Sequence, residues 1–176
     1  MNGFLSEDCR IFELFAQRWG IVTAGTMENF NSCTISWGSL GTLWGRPVAT
    51  VYVHPARHTS RFLENSNYFT VSFYDERHRE ALAYMGAHSG RDGDKAAAAG
   101  LAPVAFGQSV TYEEAETTLL CKKLYAHPFD KGALAPEIQA MYAAAPAVYP
   151  DFQGGWQPHI VFVGEVIDVL DRRESR

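Results

Sequence analysis

Cysteine is scarce and scattered: Cys9, Cys33 and Cys121 are the only three, and no two form a CxxC pair. That excludes a disulfide framework and a thiolate zinc site, and it points to a reducing cytoplasm. Positive charge is also short. Fifteen Lys and Arg face twenty Asp and Glu, for a net charge of −5. Such a balance argues against a protein that neutralises many phosphates, so no nucleic-acid partner is expected. No apolar run is long enough for a membrane span, and the opening MNGFLSEDCR carries acids where a secretory leader carries bases, so neither membrane nor export is expected. Familiar catalytic motifs are missing too. No GxGxxG follows a strand, none of the six histidines sits in an HExxH, and Pro55 interrupts the i, i+4 pair His54 and His58. Gly38-Ser39-Leu40-Gly41 is too short for a phosphate loop or a nucleophile elbow. Rossmann, zinc-hydrolase and serine-hydrolase chemistry all lack support.

What is present reads as a folded domain. The chain has 176 residues, 47% hydrophobic and 20% charged, which fits one globular domain over 1–176. Helical spacing of Ile11, Phe12, Leu14, Phe15 and Trp19 behind a Ser6 cap predicts a first helix ending at Gly20. Residues 21–24 begin β-type sequence, and β-branched and aromatic runs predict strands over Ser32–Trp37, Pro47–Val53, Tyr68–Tyr74, Ala115–Ala126 and His159–Leu170. Short helices are expected at Thr59–Asn65, Glu76–Met85 behind Asp75, Asp94–Ala99 before Gly100, and Pro136–Ala145. Pro and Gly cluster over 146–158 as a long loop. The pattern predicts an α+β, mainly β protein: a barrel with short peripheral helices.

Three segments carry chemistry, each with a plain structural alternative. Asn31 to Trp37 alternates small hydroxyl residues along a strand closed by an aromatic, a surface suited to a flat heteroaromatic ligand; it equally describes an edge strand with a polar outer face. His54-Pro55-Ala56-Arg57-His58-Thr59-Ser60 places a guanidinium and two hydroxyls at a helix start, where free N–H groups favour phosphate; a solvated Arg57 beside a helix cap is the alternative. Ser89-Gly90-Arg91-Asp92-Gly93-Asp94-Lys95 is again glycine-rich and basic before a helix. Its alternative is a turn capped by Asp92 or Asp94. Two basic helix starts after a hydroxyl-rich strand, in an acidic chain, point to one phosphorylated aromatic ligand. Cys33 is read as packing rather than as a redox thiol. Glu113, Glu114 and Glu116 are read as a solvated acidic edge.

In order along the chain, Val22-Thr23-Ala24-Gly25, Asn31-Ser32-Cys33-Thr34-Ile35-Ser36-Trp37-Gly38, Pro55-Ala56-Arg57-His58-Thr59, Ser89 through Lys95, and His159-Ile160-Val161-Phe162-Val163-Gly164-Glu165-Val166 resemble the flavin reductase-like, FMN-binding split-barrel family, its flavoredoxin branch most of all. The resemblance covers about residues 20–170. It implies a six-stranded split β-barrel that forms a homodimer, with FMN in a groove near the subunit interface. Asn31, Ser32, Cys33, Thr34, Ile35 and Ser36 would follow the isoalloxazine edge, mostly through backbone groups, and Trp37 would pack near the ring or ribityl chain. Arg57 and Thr59 match phosphate-contacting positions, and Ser89, Arg91 and Lys95 a second cluster near the phosphate. His159 stands where related reductases place a histidine near the nicotinamide. The Ala- and Pro-rich segment between Lys131 and Gln157 is longer than a minimal reductase needs.

The implied activity is an FMN oxidoreductase in which NADH or NADPH passes hydride to flavin N5, the protein chiefly positioning the two rings. The alternatives are a flavoredoxin-like FMN electron carrier serving a redox partner protein without nicotinamide activity, and a haem-binding or non-catalytic split barrel. Haem would draw its axial ligand from His58, His88 or His159.

Overall fold

The computed structural model describes residues 11–173; the Ser6 cap and Cys9 lie outside the described residues. Helix α1 (Ile11–Glu13) continues as a wider turn over Leu14–Arg18, then stops because Trp19 takes a left-handed φ of 64°. Next come β1 (Gly20–Thr26) and β2 (Asn29–Ile35), then β3 (Gly38–Leu43) and β4 (Arg46–Val53). Trp44 and Gly45, both at positive φ, turn β3 tightly into β4. Helix α2 (His58–Asn65) leads into β5 (Tyr68–Phe73), followed by α3 (Arg79–Ala87) and α4 (Lys95–Ala98). A short hairpin, β6 (Pro103–Phe106) and β7 (Ser109–Tyr112), precedes the long strands β8 (Thr117–Pro128) and β9 (Ile160–Asp171), with α5 (Pro136–Ala144) between them. No helix among the described residues is long and apolar enough to cross a membrane.

The main sheet is antiparallel, in the order β2-β1-β5-β8-β9-β4-β3. It has seven strands where the resemblance implied six. Val22, Cys33, Val51, Phe69, Leu119 and Phe162, drawn from six strands, meet in one buried cluster, around which the sheet curls as a split barrel, and a second cluster gathers Ile21, Tyr74, Leu82 and Met85. Two irregularities in β8, at Leu120/Cys121 and Lys123/Tyr125, help the long strand bend.

The opposite face of the sheet is buried as well, by hydroxyls. Side chains alternate along a strand, so Thr23, Thr70, Ser72 and Thr118 point away from the apolar core, yet each is fully buried. They meet the β6–β7 hairpin: Thr70 donates to the Val110 carbonyl at 2.5 Å, and Ser72, Thr111 and Thr118 bond one another at 2.7–3.1 Å. Burial without partners would cost each hydroxyl on the order of 1–3 kcal/mol, so the layer demands this geometry.

The sequence reading found six of the seven main strands. It missed β3, which is Gly-interrupted and exposed over most of its length, and the four-residue strands β6 and β7. Asp75 caps a 3-10 turn over Glu76–His78 rather than α3 itself. The acids before β8 are partnered, not merely solvated: Glu113 pairs with Arg172, Glu114 accepts from the Ala102 N–H, and Glu116 pairs with Arg18.

Gly164 in β9 shows how tightly the barrel closes. A Cβ there would lie 2.6 Å from Phe69 Cζ and 2.7 Å from Cys121 Cβ. Gly164→Ala should therefore destabilise the fold by about 1–3 kcal/mol, read as a lowered urea midpoint; an unchanged midpoint would contradict this packing.

Candidate functional site

Strand β2 is an edge strand, hydrogen-bonded only to β1. Its other side leaves backbone N–H and C=O groups without a strand partner. The hydroxyls once read as a ligand surface have other work. Ser32 Oγ lies 2.8 Å from Thr23 Oγ1 and 2.6 Å from Tyr112 Oη, and Thr34 donates to the Leu82 carbonyl at 2.5 Å. Asn31 Oδ1 accepts from Thr59 at 2.8 Å, which ties β2 to the start of α2. Cys33 is buried, and burial pushes its thiol up despite the neighbouring Thr59 hydroxyl and the nearby charges of Lys95 and Arg57. It remains a thiol, as expected of a packing residue.

Two cavities run along the open side of β2. One, of about 210 Å³, is lined by Arg57, His58, Thr59, Ser89, Arg91 and Lys95. The other, of about 150 Å³, is lined by Cys33 to Trp37, Tyr52, Tyr149 and His159. Cys33, His54, Arg57 and Val148 border both, so they form one groove with a basic end and an aromatic end. Asn31 and Ser32 border neither. They line a third cavity of about 230 Å³, with Asp94, that shares Gly90 and Lys95 with the basic end.

At the basic end, no side chain caps α2, and its first residues, His58 and Thr59, face the cavity. Arg57 Nη1 donates to the Gly86 carbonyl at 2.7 Å, which fixes the guanidinium against the end of α3. The Ser89 hydroxyl accepts from the Arg91 N–H at 3.2 Å, and the Arg91 side chain makes no hydrogen bond among the described residues. Lys95 differs. Its ammonium donates to the Met85 and His88 carbonyls, both at 3.0 Å, closing the C-terminal end of α3, and burial pulls its pKa down. Two of its three protons are thus spent on structure. Asp94, not Asp92, caps α4 by accepting from Ala96 and Ala97. A side chain at Gly90 would displace Asn31, since a Cβ would fall 1.9 Å from Asn31 Nδ2.

The aromatic end is completed by the connection between β8 and β9. That connection leaves and re-enters the barrel at one point, where the Phe129 N–H donates to the His159 carbonyl at 3.1 Å. It folds back so that Tyr149 lies 6.1 Å from Trp37 and 5.7 Å from His159 between ring centroids. His159 itself lies 4.7 Å from Trp37 and 5.4 Å from His54. His54 Nδ1 accepts from the Ala56 N–H at 3.3 Å, so Nε2 carries the proton and donates to the Gln157 carbonyl at 3.1 Å. Burial, then the neighbouring His54 and Arg57, pushes His159 down to about 3. Burial also lowers His54. Both rings are neutral at pH 7.

The sequence reading missed His54, Tyr142, Val148 and Tyr149. His54 opened a quoted motif but was not assigned a role. The signal for the tyrosines was Tyr142, Tyr149 and Trp156 gathered in a segment rich in Ala, Pro and Gly.

Comparison with known proteins places the fold. The flavin reductase like domain family matches residues 12–176. No curated protein sequence matches the chain significantly. Among solved structures, an FMN-binding protein from Thermus thermophilus with bound 1-cyclohex-2-enone is similar at 22% identity and TM-score 0.64, over 88% of this chain and 70% of that one. Flavoredoxin of Desulfovibrio vulgaris (Miyazaki F) is similar at 19% and 0.64, over 89% and 70%. Nitrilotriacetate monooxygenase component B from Bacillus cereus is similar at 18% and 0.65, over 89% and 71%.

The depressed His159 has a consequence for stability. Unfolded, the ring regains its ordinary value of 6.5, so below that pH the unfolded chain takes up a proton that the folded chain refuses. Stability contributed by this site is intact above pH 6.5 and falls as pH drops toward about 3. NMR should show no His159 titration between pH 8 and about 4, and His159→Gln should flatten the loss of stability in that window. A ring that titrates near 6.5 would contradict the buried neutral state.

Proposed function

Because the chain belongs to the flavin reductase-like domain family, matched over residues 12–176, we propose that it binds FMN in this groove and acts as an NAD(P)H:flavin oxidoreductase. The observation that carries the reading is the groove itself. A basic end and an aromatic end lie along the unpaired backbone of an edge strand, with Cys33, His54, Arg57 and Val148 common to both. A flat ring with polar edges, joined to a phosphate, has matching chemistry at each point, so the residues present fit FMN.

Arg57, Arg91 and the open first turn of α2 hold the phosphate, with Ser89 and the remaining Lys95 proton beside them. Backbone groups from Cys33 to Ser36 meet the edge of the ring, and Trp37 packs against it. Asn31 and Thr59 act behind this surface by fixing α2 to β2. FMN, when bound, supplies the redox chemistry by accepting hydride at N5 from NADH or NADPH. The chain excludes water around that ring and offers the neutral His159 at the nicotinamide side. A homodimer belongs to the reading, and the exposed Trp44, Tyr125 and Ile167 are apolar side chains available to a second copy.

One observation favours a second reading, an FMN electron carrier that serves a redox partner protein. Val148 and Tyr149 lie over the aromatic end, where a nicotinamide would have to stack. Two flavoredoxins, from Methanosarcina acetivorans and Desulfovibrio vulgaris, are among the similar structures.

The test is a visible spectrum of the desalted protein with FMN added back, followed by anaerobic NADH or NADPH. Flavin bands that bleach support the reductase. Bands that persist with both donors favour the carrier, and no FMN uptake removes both readings. Arg57→Ala should weaken FMN binding about ten- to a hundredfold, the worth of a charged hydrogen bond. Titration at wild-type affinity would move the phosphate elsewhere.

A further inference from the structure

Tyr142 belongs to the long β8–β9 connection, outside every motif that suggested a ligand. It is buried, and its hydroxyl meets one residue twice. It accepts the backbone N–H of His159 at 3.3 Å and lies 2.7 Å from His159 Nδ1. A phenol has one proton to give. Were Nδ1 protonated, both groups of His159 would donate into the tyrosine oxygen, and the buried phenol proton would have no acceptor among the described residues. Giving that proton to Nδ1 satisfies all three groups. The imidazole proton then sits on Nε2, which has no hydrogen-bond partner among the described residues, in a ring that lines the aromatic cavity.

The surroundings favour a neutral ring. His54 presents an edge at 5.4 Å, Trp37 and Tyr149 lie at 4.7 and 5.7 Å, and Arg57 adds positive charge. Burial drives the same way. Tyr142 is held in turn. Trp156 stacks on it at 5.5 Å with planes 4° apart, and Lys131 lies 4.1 Å over the Trp156 ring.

We propose that Tyr142 is a positioning residue: it fixes His159 as the Nε2–H tautomer and so makes that N–H the hydrogen-bond donor offered to the ring bound at the aromatic end of the groove. The proposal rests on the FMN reading for the identity of the ring, though not for the tautomer. The β8–β9 connection thereby becomes part of the site, since it supplies the group that sets the donor.

Nitrogen-15 NMR of His159 in the FMN-free protein tests the first half. The expected wild-type pattern at pH 7 is a protonated Nε2 and an Nδ1 that accepts a hydrogen bond; in Tyr142→Phe, which keeps the ring stacked on Trp156, part of the proton should shift to Nδ1, so that the two nitrogen signals move toward each other as the tautomers mix. A protonated Nδ1 in the wild type overturns the proposal, and that measurement stands even if the variant does not fold. The second half is read from the midpoint potential of bound FMN in a dithionite titration, which needs no nicotinamide activity. A donor facing the ring stabilises its reduced, more electron-rich state, so Tyr142→Phe should bind FMN within about threefold of wild type and show a more negative midpoint. Equal midpoints overturn the positioning role. Failure of the wild type to take up FMN sinks the functional reading instead and leaves the tautomer result intact.

Discussion

The open side of β2 is the constraint around which the site is organised. A buried backbone must place its N–H and C=O groups somewhere, and β1 serves only one side of this strand. The protein covers the other side from three directions without filling it. The start of α2 is pinned by Thr59 to Asn31, and the end of α3 by Arg57 to Gly86. The β8–β9 connection arrives from the far end and is held by His54 to Gln157. What remains is a groove whose floor is unpaired backbone. A ligand bound there would take the place of the missing strand, and the small Cys33 leaves the approach clear.

A second constraint lies behind the strand and explains a pattern open to two meanings. Alternating hydroxyls along 32–36 suit a ligand surface, and they also suit a buried polar layer. The structure assigns Ser32 to the layer, bonded to Thr23 and Tyr112, and Thr34 to the carbonyl of Leu82 in α3. Period-2 alternation tells which residues share a face but not what that face meets. Here the partner is the β6–β7 hairpin, whose four-residue strands leave almost no periodic signal of their own. The same blindness hid β3, where two glycines and near-continuous exposure erase the alternation.

Much of the site was legible for local reasons. Arg57 and Arg91 announce themselves as basic residues beside helix starts, and the groove brings them to one cavity. Lys95 was legible as a charge but not as a structural one, because its two carbonyl partners come from the end of another helix. His159 stood out only through the family resemblance. Tyr142 and Tyr149 did not stand out at all. Their role depends on how a loop tied shut at Phe129 and His159 folds back over Trp37, and no spacing rule encodes that return.

The two tyrosines of this connection are held differently, and the difference bears on access to the groove. Tyr142 exchanges two hydrogen bonds with His159 and stacks on Trp156. Moving it would strand a buried hydroxyl and a buried imidazole nitrogen together. The Tyr149 side chain makes ring contacts but no hydrogen bond among the described residues, and it is only half-buried. Displacing it forfeits dispersion and little else, so it is the cheaper of the two to swing aside. A second ring can then enter beside Trp37 while His159 stays fixed. The reductase and carrier readings therefore differ by how Val148 and the weakly held Tyr149 sit over the groove, not by the architecture of the site.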